Sequence, residues 1–184
     1  ILSNWADSIP GIIIAGQEQT HYIEEYSDMR MYGIQGYDSV KTYADYTKLS
    51  ARITQENAHK VLQKAFEVTT QGRPGPVYLE VPFDTQSRLV DEAVISIPAN
   101  KVGDTKLEAD YIISRLNQAK RPLVLGGHGV KLSGAEKLFR SFITNNSIPA
   151  VLSWSAVDLL PTNDPNNFGR PGVQGQRAAN FIVQ

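Results

Sequence analysis

The sequence contains no cysteine among its 184 residues, and this absence excludes several kinds of chemistry. Disulfides, thiolate nucleophiles and cysteine-held zinc or iron–sulfur sites cannot form. The absence also fits a reducing compartment, so we predict a cytoplasmic location. Histidine is scarce as well: the three present are His21, His59 and His128, and their spacing fits no metal motif. We expect each imidazole to face solvent or to make a local hydrogen bond.

Long apolar runs and an excess of one charge are also missing. No apolar run approaches the roughly 20 residues that span a bilayer, so no membrane partner is expected. The 18 Lys and Arg residues nearly cancel the 19 Asp and Glu residues, giving a formal charge of −1. No basic stripe could follow a phosphate backbone, so nucleic acid is not expected as a partner. What remains, 41% hydrophobic and 20% charged, is the composition of a globular protein.

The two ends of the sequence favour a piece of a longer protein. The chain begins at Ile1 without an initiator Met, and its last ten residues, GQRAANFIVQ, start a helical pattern without completing it. We therefore expect the chain to be part of a larger polypeptide.

The first half predicts a strand, a long excursion and then a helix. Ile12 to Ala15 form a short β-branched run that favours a buried parallel strand. Residues 17–54 are rich in tyrosine and lack a clear period, so we expect an excursion with one short helix. Apolar residues recur at helical spacing from Ala58 to Val68, which predicts an amphipathic helix that Gly72 caps.

The stretch GRPGPVYLEVPFD, residues 72–84, combines a tight turn with a strand. Its glycine and proline residues end the helix, VYLEV enters the sheet, and Pro82 ends the ladder. We expect no residue in this stretch to be a nucleophile, a metal ligand or a poised acid. The carboxylates of Glu24 and Glu25 are adjacent in sequence and are expected to form a solvated face.

The second half predicts one βαβ unit after a linker-like segment. Helical or strand patterns cover 107–118, 122–127, 133–144 and 148–153. A strand, a glycine turn, a helix and a strand in this order form a parallel unit. We therefore predict an α/β fold class with two successive doubly wound, mostly parallel-sheet units, both incomplete.

The glycine turn GGHGVKLSG lies where phosphates bind in such folds, after a strand and before a helix. However, Gly126, Gly127 and Gly129 do not match the spacing GxGxxG, and no acidic residue closes the next strand. A turn that needs glycine only for its backbone conformation stays an equal alternative to a nucleotide site.

Five pieces of the sequence together resemble a known family. They are ADSIPGIIIAGQ at 6–17, IQGYDSVKTYADYTK at 34–48, GRPGPVYLEVPFD at 72–84, RPLVLGGHGV at 121–130, and IPAVLSWSAVDLLPTNDPNNFGRPGVQGQRAAN at 148–180. In order and spacing they resemble the thiamine diphosphate-dependent enzymes of the acetolactate synthase type. The resemblance covers nearly the whole chain.

The resemblance implies a division into domains. Residues 1–87 would be the C-terminal part of a pyrimidine-binding domain, 88–104 a linker, and 105–184 a truncated central Rossmann-like domain. The family's activating glutamate would lie upstream of Ile1, and its motif for Mg²⁺ and the diphosphate would lie downstream of Gln184. No catalytic residue and no metal ligand is therefore expected in this segment, which alone should be inactive.

For the whole protein, the resemblance implies decarboxylation of a 2-oxo acid substrate followed by carboligation. The cofactors would be thiamine diphosphate and Mg²⁺, and the protein would be a homodimer or homotetramer. Gln35 and Lys48 match a glutamine and a lysine near the family's substrate channel. Gly36 and Ala44 differ from the synthases, which often carry glutamate and arginine at these positions. For Gln35 and Lys48, the alternative is that they belong to a solvated loop.

The resemblance also implies a site for FAD or ADP in the central domain. The residues that would hold it are Gly126, Gly127, Gly129, Ser153, Trp154, Gly172 and Gly175. Asp158, in place of a small glycine-rich turn, brings a negative charge that disfavours a diphosphate. Two alternatives stay open: a nucleotide-binding module without catalysis, and an interaction piece that uses the tyrosine-rich excursion as its binding face.

Overall fold

The computed structural model describes residues 1–34, 36–90, 95–96 and 109–184. The chain divides into two compact units, Ile1–Gly103 and Asp104–Gln184. The prediction of an α/β fold with parallel sheets is confirmed, because both units contain a small parallel sheet that alternates with helices.

The first unit is built on a three-stranded sheet in the order β1–β3–β2. The strands are β1 (Gly11–Gln17), β2 (Leu49–Arg52) and β3 (Pro76–Pro82), and β3 is parallel to both neighbours. The helices are α1 (Leu2–Ala6), α2 (Thr20–Glu25), α3 (Ser39–Tyr43), α4 (Ala58–Thr70) and α5 (Phe83–Gln86). Because β3 lies in the centre, six of its seven residues are buried.

The two faces of β3 pack against different helices. Val77 and Leu79 are fully buried and pack with Ala65 of α4 in one apolar cluster. The alternate residues face the other side, where the Tyr78 ring lies 4.6 Å from the ring of Tyr43 in α3. The period of two in the strand therefore places an apolar layer on one side and a polar, aromatic layer on the other.

The predicted helix and its end are confirmed. After the C-cap residue Gln71, Gly72 has φ +62°, the left-handed conformation that glycine adopts at helix ends. The interpretation of residues 17–54 as an excursion with one helix is wrong, since this segment contains α2, α3 and strand β2. β2 has only four residues and includes Ser50 and Arg52, so it is too short and too polar to show a strand period.

The second unit has a two-stranded parallel sheet of β4 (Val124–Gly126) and β5 (Ala150–Leu152). Its helices are α6 (Ala109–Gln118), α7 (Gly129–Leu132), α8 (Glu136–Asn146) and α9 (Arg177–Ile182). The core joins buried residues of β5, α8 and the segment after β5: Ile143, Ala150, Leu152, Ala156, Leu159 and Leu160. The helix predicted at 133–144 is α8, which begins at Glu136 because Gly134 adopts φ +67° just before it, and α7 is a further short helix that was not predicted.

Most of the predicted linker at 88–104 falls outside the described residues. Ser96 is described, and it exchanges two hydrogen bonds with the side chain of Gln63 in α4, at 2.7 and 2.9 Å. The domain boundaries stay predictions. Among the helices that the structure describes, none combines the length and the apolar character that a bilayer crossing demands.

Candidate functional site

The carboxyl edge of the second sheet brings two of the predicted segments together. β4 ends at Gly126 and β5 at Leu152, and the Ser153 N–H donates to the Gly126 carbonyl at 2.9 Å. A Cβ atom on Gly126 would lie 2.8 Å from the Phe139 ring and 2.9 Å from the Leu152 side chain. Glycine is therefore required here by close packing between the strand and helix α8.

Gly127 and Gly129 differ from Gly126 in their surroundings. A Cβ atom on either residue would meet nothing within 4 Å, so their backbone is open to an incoming group. Between them, His128 places its Nδ1 atom 3.2 Å from the Ser155 carbonyl oxygen. This contact links the first glycine loop to the segment that follows β5.

The second glycine loop, residues 169–176, lies at the same edge. The Leu152 N–H donates to the Gly169 carbonyl at 2.8 Å, which fixes the start of the loop against β5. The Gln176 N–H donates to the Arg170 carbonyl at 2.8 Å, and the Gln176 side chain accepts from the Arg170 N–H at 2.8 Å. These two bonds close the loop on itself.

Gly172 and Gly175 form the tip of this loop. Gly172 has φ +124°, a conformation that side chains disfavour, and the Gly175 N–H donates to its carbonyl at 2.9 Å. The Asn180 side chain, in α9, accepts from the Gly172 N–H at 2.8 Å and donates to the Gly172 carbonyl at 3.0 Å. The loop is thus held in one shape by the chain itself.

Trp154 and Arg170 contact each other at this edge. The guanidinium carbon of Arg170 lies 4.2 Å from the centre of the Trp154 ring, a cation–π contact, while the indole stays 58% exposed. An exposed indole beside an arginine can stack a flat ring and bind a phosphate oxygen.

A cavity of about 620 Å³ opens beside the second loop. It is lined by Leu152, Val157, Thr162, Pro165, Asn167, Phe168, Gly169, Arg170, Gln176 and Ala178. None of the glycines of the first loop lines this cavity. The structure therefore groups the predicted residues into an edge with two glycine loops, and the concave space belongs to the second loop.

The negative charge of Asp158, which was expected to disfavour a diphosphate, is compensated by a neighbouring lysine. Both of its carboxylate oxygens lie 2.9 Å from the Lys131 Nζ atom, and the hydrogen bond from Lys131 lowers the pKa of Asp158 below its ordinary value. The Arg140 guanidinium also donates to the Asp158 carbonyl at 3.0 Å. Asp158 therefore brings no uncompensated negative charge to the edge.

The two residues matched to a substrate channel have different outcomes. Gln35 lies outside the described residues. Lys48 lies just before β2, at the amino end of the first sheet, where its ammonium donates to the Gln71 carbonyl and, at 2.8 Å, to the Arg73 carbonyl. Both carbonyls belong to the turn between α4 and β3, so this ammonium ties that turn to the start of β2. Its proposed part in a substrate channel stays a prediction.

The carboxyl edge of the first sheet holds a buried carboxylate that the sequence analysis missed. Glu80, in β3, is fully buried, and its Oε2 atom accepts from Gln17 Nε2 at 2.8 Å and from Ser39 Oγ. Its Oε1 atom forms an ion pair with Arg52. The sequence analysis expected no poised acid in GRPGPVYLEVPFD and did not foresee that Glu80 is buried; the contacts of Glu80 here are structural.

A tyrosine cluster adjoins this carboxylate. Tyr37 and Tyr43 share a hydrogen bond of 3.3 Å between their hydroxyls, which raises the pKa of Tyr37 to about 12. The Gln17 side chain also donates to the Tyr37 carbonyl at 2.9 Å. Tyr32 is 4% exposed. These tyrosines pack within the first unit, so they do not form an open binding face.

The histidines and acids of the described residues form no candidate metal site. His21 and His128 match the expectation of solvent exposure or local bonding. His59 does not, because its Nε2 atom is buried and has no hydrogen-bond partner among the described residues. Glu24 and Glu25 are exposed, as expected.

Comparison with known proteins finds a family model that matches most of the second unit. Residues 109–184 match the family model described as thiamine pyrophosphate enzyme, central domain. This unit is therefore similar to the central domain of thiamine pyrophosphate enzymes, and the chain as a whole is similar to acetolactate synthase large subunits.

Two relatives and one solved structure show the extent of the similarity. The acetolactate synthase isozyme 1 large subunit of Escherichia coli K12 is 29% identical over 97% of this chain and 31% of its own length. The glyoxylate carboligase of Escherichia coli O157:H7 is 27% identical over 92% of this chain and 28% of its own length. The chain thus spans about a third of the length of the curated relatives it matches.

The fold is similar to that of a solved protein as well. The X-ray structure of a candidate thiamin diphosphate-dependent enzyme from Mycobacterium smegmatis has a TM-score of 0.68 at 22% identity. The match covers 92% of this chain and 32% of that chain. At this identity the likeness establishes the fold of the chain.

Proposed function

We propose that this chain is part of a thiamine diphosphate-dependent enzyme that decarboxylates a 2-oxo acid and transfers the remaining fragment to an acceptor. The matched central domain and the relatives, an acetolactate synthase subunit and a glyoxylate carboligase, support this reaction class. The first unit would supply the later part of the pyrimidine-binding domain. The whole protein would be a homodimer or homotetramer, and its cytoplasmic location stays a prediction.

Thiamine diphosphate, when bound, supplies the electron sink for decarboxylation. The described residues offer no group of three or more acids and histidines that could hold Mg²⁺. They therefore do not fit the metal, and no catalytic step is derived for this segment. In this proposal the chain contributes scaffold, a nucleotide site and residues near the substrate, of which Gln35 and Lys48 are the candidates.

We further propose that the two-loop edge of the second unit binds FAD or ADP. The observation that carries this proposal is the convergence of both glycine loops on the carboxyl end of β5, beside the exposed Trp154 ring. A phosphate would approach the open backbone of Gly127 and Gly129, while Trp154 would stack a flat ring. The cavity beside Arg170 has the size of a small-molecule site.

The nucleotide proposal is tested by titrating the chain with FAD and with ADP. Flavin fluorescence reports FAD, and isothermal titration calorimetry reports ADP. We expect saturable binding of one of them and a loss of at least about fivefold in affinity in Trp154→Ala, since stacking on an aromatic contributes about 1–3 kcal/mol. Trp5→Ala, the same change at the other tryptophan, serves as the matched control.

The enzyme proposal is tested separately with the longer protein that contains this chain. Thiamine diphosphate, Mg²⁺ and pyruvate or glyoxylate should yield CO₂ and a carboligation product. A full-length protein that releases no CO₂ under these conditions, while it binds FAD or ADP, would leave the nucleotide-binding module as the better description. Tyr32, Tyr37 and Tyr43 pack within the first unit, but Tyr22 and Tyr46 of the same segment are 37% and 45% exposed, so the interaction-piece alternative stays a second candidate.

A further inference from the structure

A cleft of about 500 Å³ opens at the amino end of the first sheet. It is lined by Trp5, Ala6, Lys48, Arg73 and Pro74. All five residues precede the strands, so the cleft lies at the edge opposite the carboxylate of Glu80. It is also separate from the two-loop edge, which belongs to the other unit.

Gly75 explains how the cleft forms. A Cβ atom on this residue would lie 3.2 Å from the aliphatic stem of Lys48 and 3.6 Å from the Trp5 ring. Because glycine has no side chain, the lysine stem and the indole lie together over the bare backbone. The turn before β3 thus does more than redirect the chain, since it makes room for an aromatic wall beside a cation.

Both cations of the cleft are held in place by the chain. The Lys48 ammonium donates to the carbonyls of Gln71 and Arg73, and the Arg73 Nε atom donates to Ser8 Oγ at 2.7 Å. Ser8 is itself only 2% exposed. Two anchored cations beside one cleft are preorganised to receive an anion.

The positive charges have no acidic partner in the described part of the chain. Neither Lys48 nor Arg73 forms an ion pair there, and Asp7, which follows Ala6, pairs with neither of them. Burial lowers the pKa of Lys48, because its charge has lost part of its hydration without gaining a counter-ion. A carboxylate would supply that counter-ion.

We propose that this cleft binds a small organic carboxylate with a flat, apolar body. The carboxylate group would lie against Lys48 and Arg73, and the body would lie on the Trp5 indole and on Pro74. A cleft of this volume with apolar walls and a few charged groups favours an organic ligand over an inorganic anion. The inference shares Lys48 with the proposed substrate channel, but it rests on the geometry of this cleft and not on thiamine chemistry or nucleotide binding.

The test uses benzoate and benzamide, which share a shape and differ in charge. The chain is titrated with each probe, and binding is followed by tryptophan fluorescence and by calorimetry. We expect saturable benzoate binding at least about tenfold tighter than benzamide binding, because a hydrogen bond to a charged group is worth a factor of ten or more. Trp5→Phe should abolish the fluorescence response and leave the Trp154 emission in place.

Substitution of the cations locates the site. Lys48→Met should weaken benzoate binding at least about tenfold, whereas Lys64→Met, the same change at a lysine whose side chain is 57% exposed on α4, should leave it unchanged. Because Lys48 also holds the turn between α4 and β3, circular dichroism must show that the variant is folded. Arg73→Met, at an exposed residue, is the second variant and should also weaken binding.

Three results would overturn the proposal. The first is no saturable benzoate binding to the folded wild-type chain. The second is benzamide binding as tight as benzoate binding, which would show that the cleft does not recognise the negative charge of the ligand. The third is a benzoate affinity that falls as much in Lys64→Met as in Lys48→Met and Arg73→Met.

Discussion

Replacement of the buried carboxylate by an amide, Glu80→Gln, should strongly destabilise the first unit. One oxygen of Glu80 accepts from Gln17 and Ser39, and the other pairs with Arg52. A glutamine side chain has one carbonyl oxygen, so its NH₂ group must face at least one of these donors in either orientation. Disrupting a buried ion pair in this way costs about 3–5 kcal/mol.

Urea unfolding measures this cost. With a slope of about 1–3 kcal/mol per M, the unfolding midpoint should fall by at least about 1 M. Trp5 fluorescence in a Trp154→Phe background reports the first unit alone. Glu67→Gln is the matched control, since the Glu67 side chain is 38% exposed and lies 3.9 Å from Lys64. Glutamine keeps an oxygen for the 3.0 Å hydrogen bond from Gln63, so stability should change by less than about 0.5 kcal/mol.

The comparison of the two glutamine variants tests whether the carboxylate of Glu80 stabilises the first unit. If Glu80→Gln lowers the midpoint no more than Glu67→Gln does, the carboxylate of Glu80 does not hold the sheet to α3. A large loss that is confined to the Trp5 signal would support the network as described.

Three further predictions concern the stability of the chain. The pKa of Tyr37 is raised to about 12, so its contribution is complete below about pH 10 and is lost as the pH rises through about 12; Tyr37→Phe, which cannot ionise, should show a smaller alkaline loss in unfolding experiments. The pKa of Asp84 is lowered by hydrogen bonds from Thr20, so its contribution is present above about pH 4 and is lost below it. Asp84→Asn should therefore lose less stability than wild type on acidification, as followed by circular dichroism, and equal acid profiles would contradict this. Gly126→Ala should cost about 1–3 kcal/mol in urea unfolding, because its methyl group would lie under 3 Å from two side chains; an unchanged midpoint would mean that the packing yields freely.

The strong local patterns of the sequence predicted much of the fold. The helical spacing from Ala58 to Val68 and the glycine that ends this helix were read correctly. The β-branched run before Gly16 was read correctly as a parallel strand but wrongly as a buried one, because among the described strands β1 pairs only with β3, and its Ile14 is 63% exposed. These features depend on backbone preference and on one buried face, which neighbouring residues specify. β2 was missed because four residues with two polar side chains become a strand only through pairing with β3.

The candidate site was predicted in part. The sequence placed both glycine loops and Trp154 at strand ends, and the resemblance to a family grouped them. It did not foresee the contact between Arg170 and Trp154, or the pairing of Asp158 with Lys131, because each joins residues that are at least 16 positions apart in the sequence. One feature of the sequence does indicate the burial of Glu80: it is a charged residue inside an otherwise apolar parallel strand.

The sequence alone thus determined the α/β class, most of the helices and strands, and the resemblance to thiamine diphosphate-dependent enzymes. Composition and period are local properties, and a chain carries them before it folds. Only the tertiary structure decided which charges are compensated: Glu80 by Arg52, Asp158 by Lys131, and neither Lys48 nor Arg73 by any carboxylate of the described residues. The physical reason is that an ion pair depends on distance and burial, which are fixed when distant segments pack together.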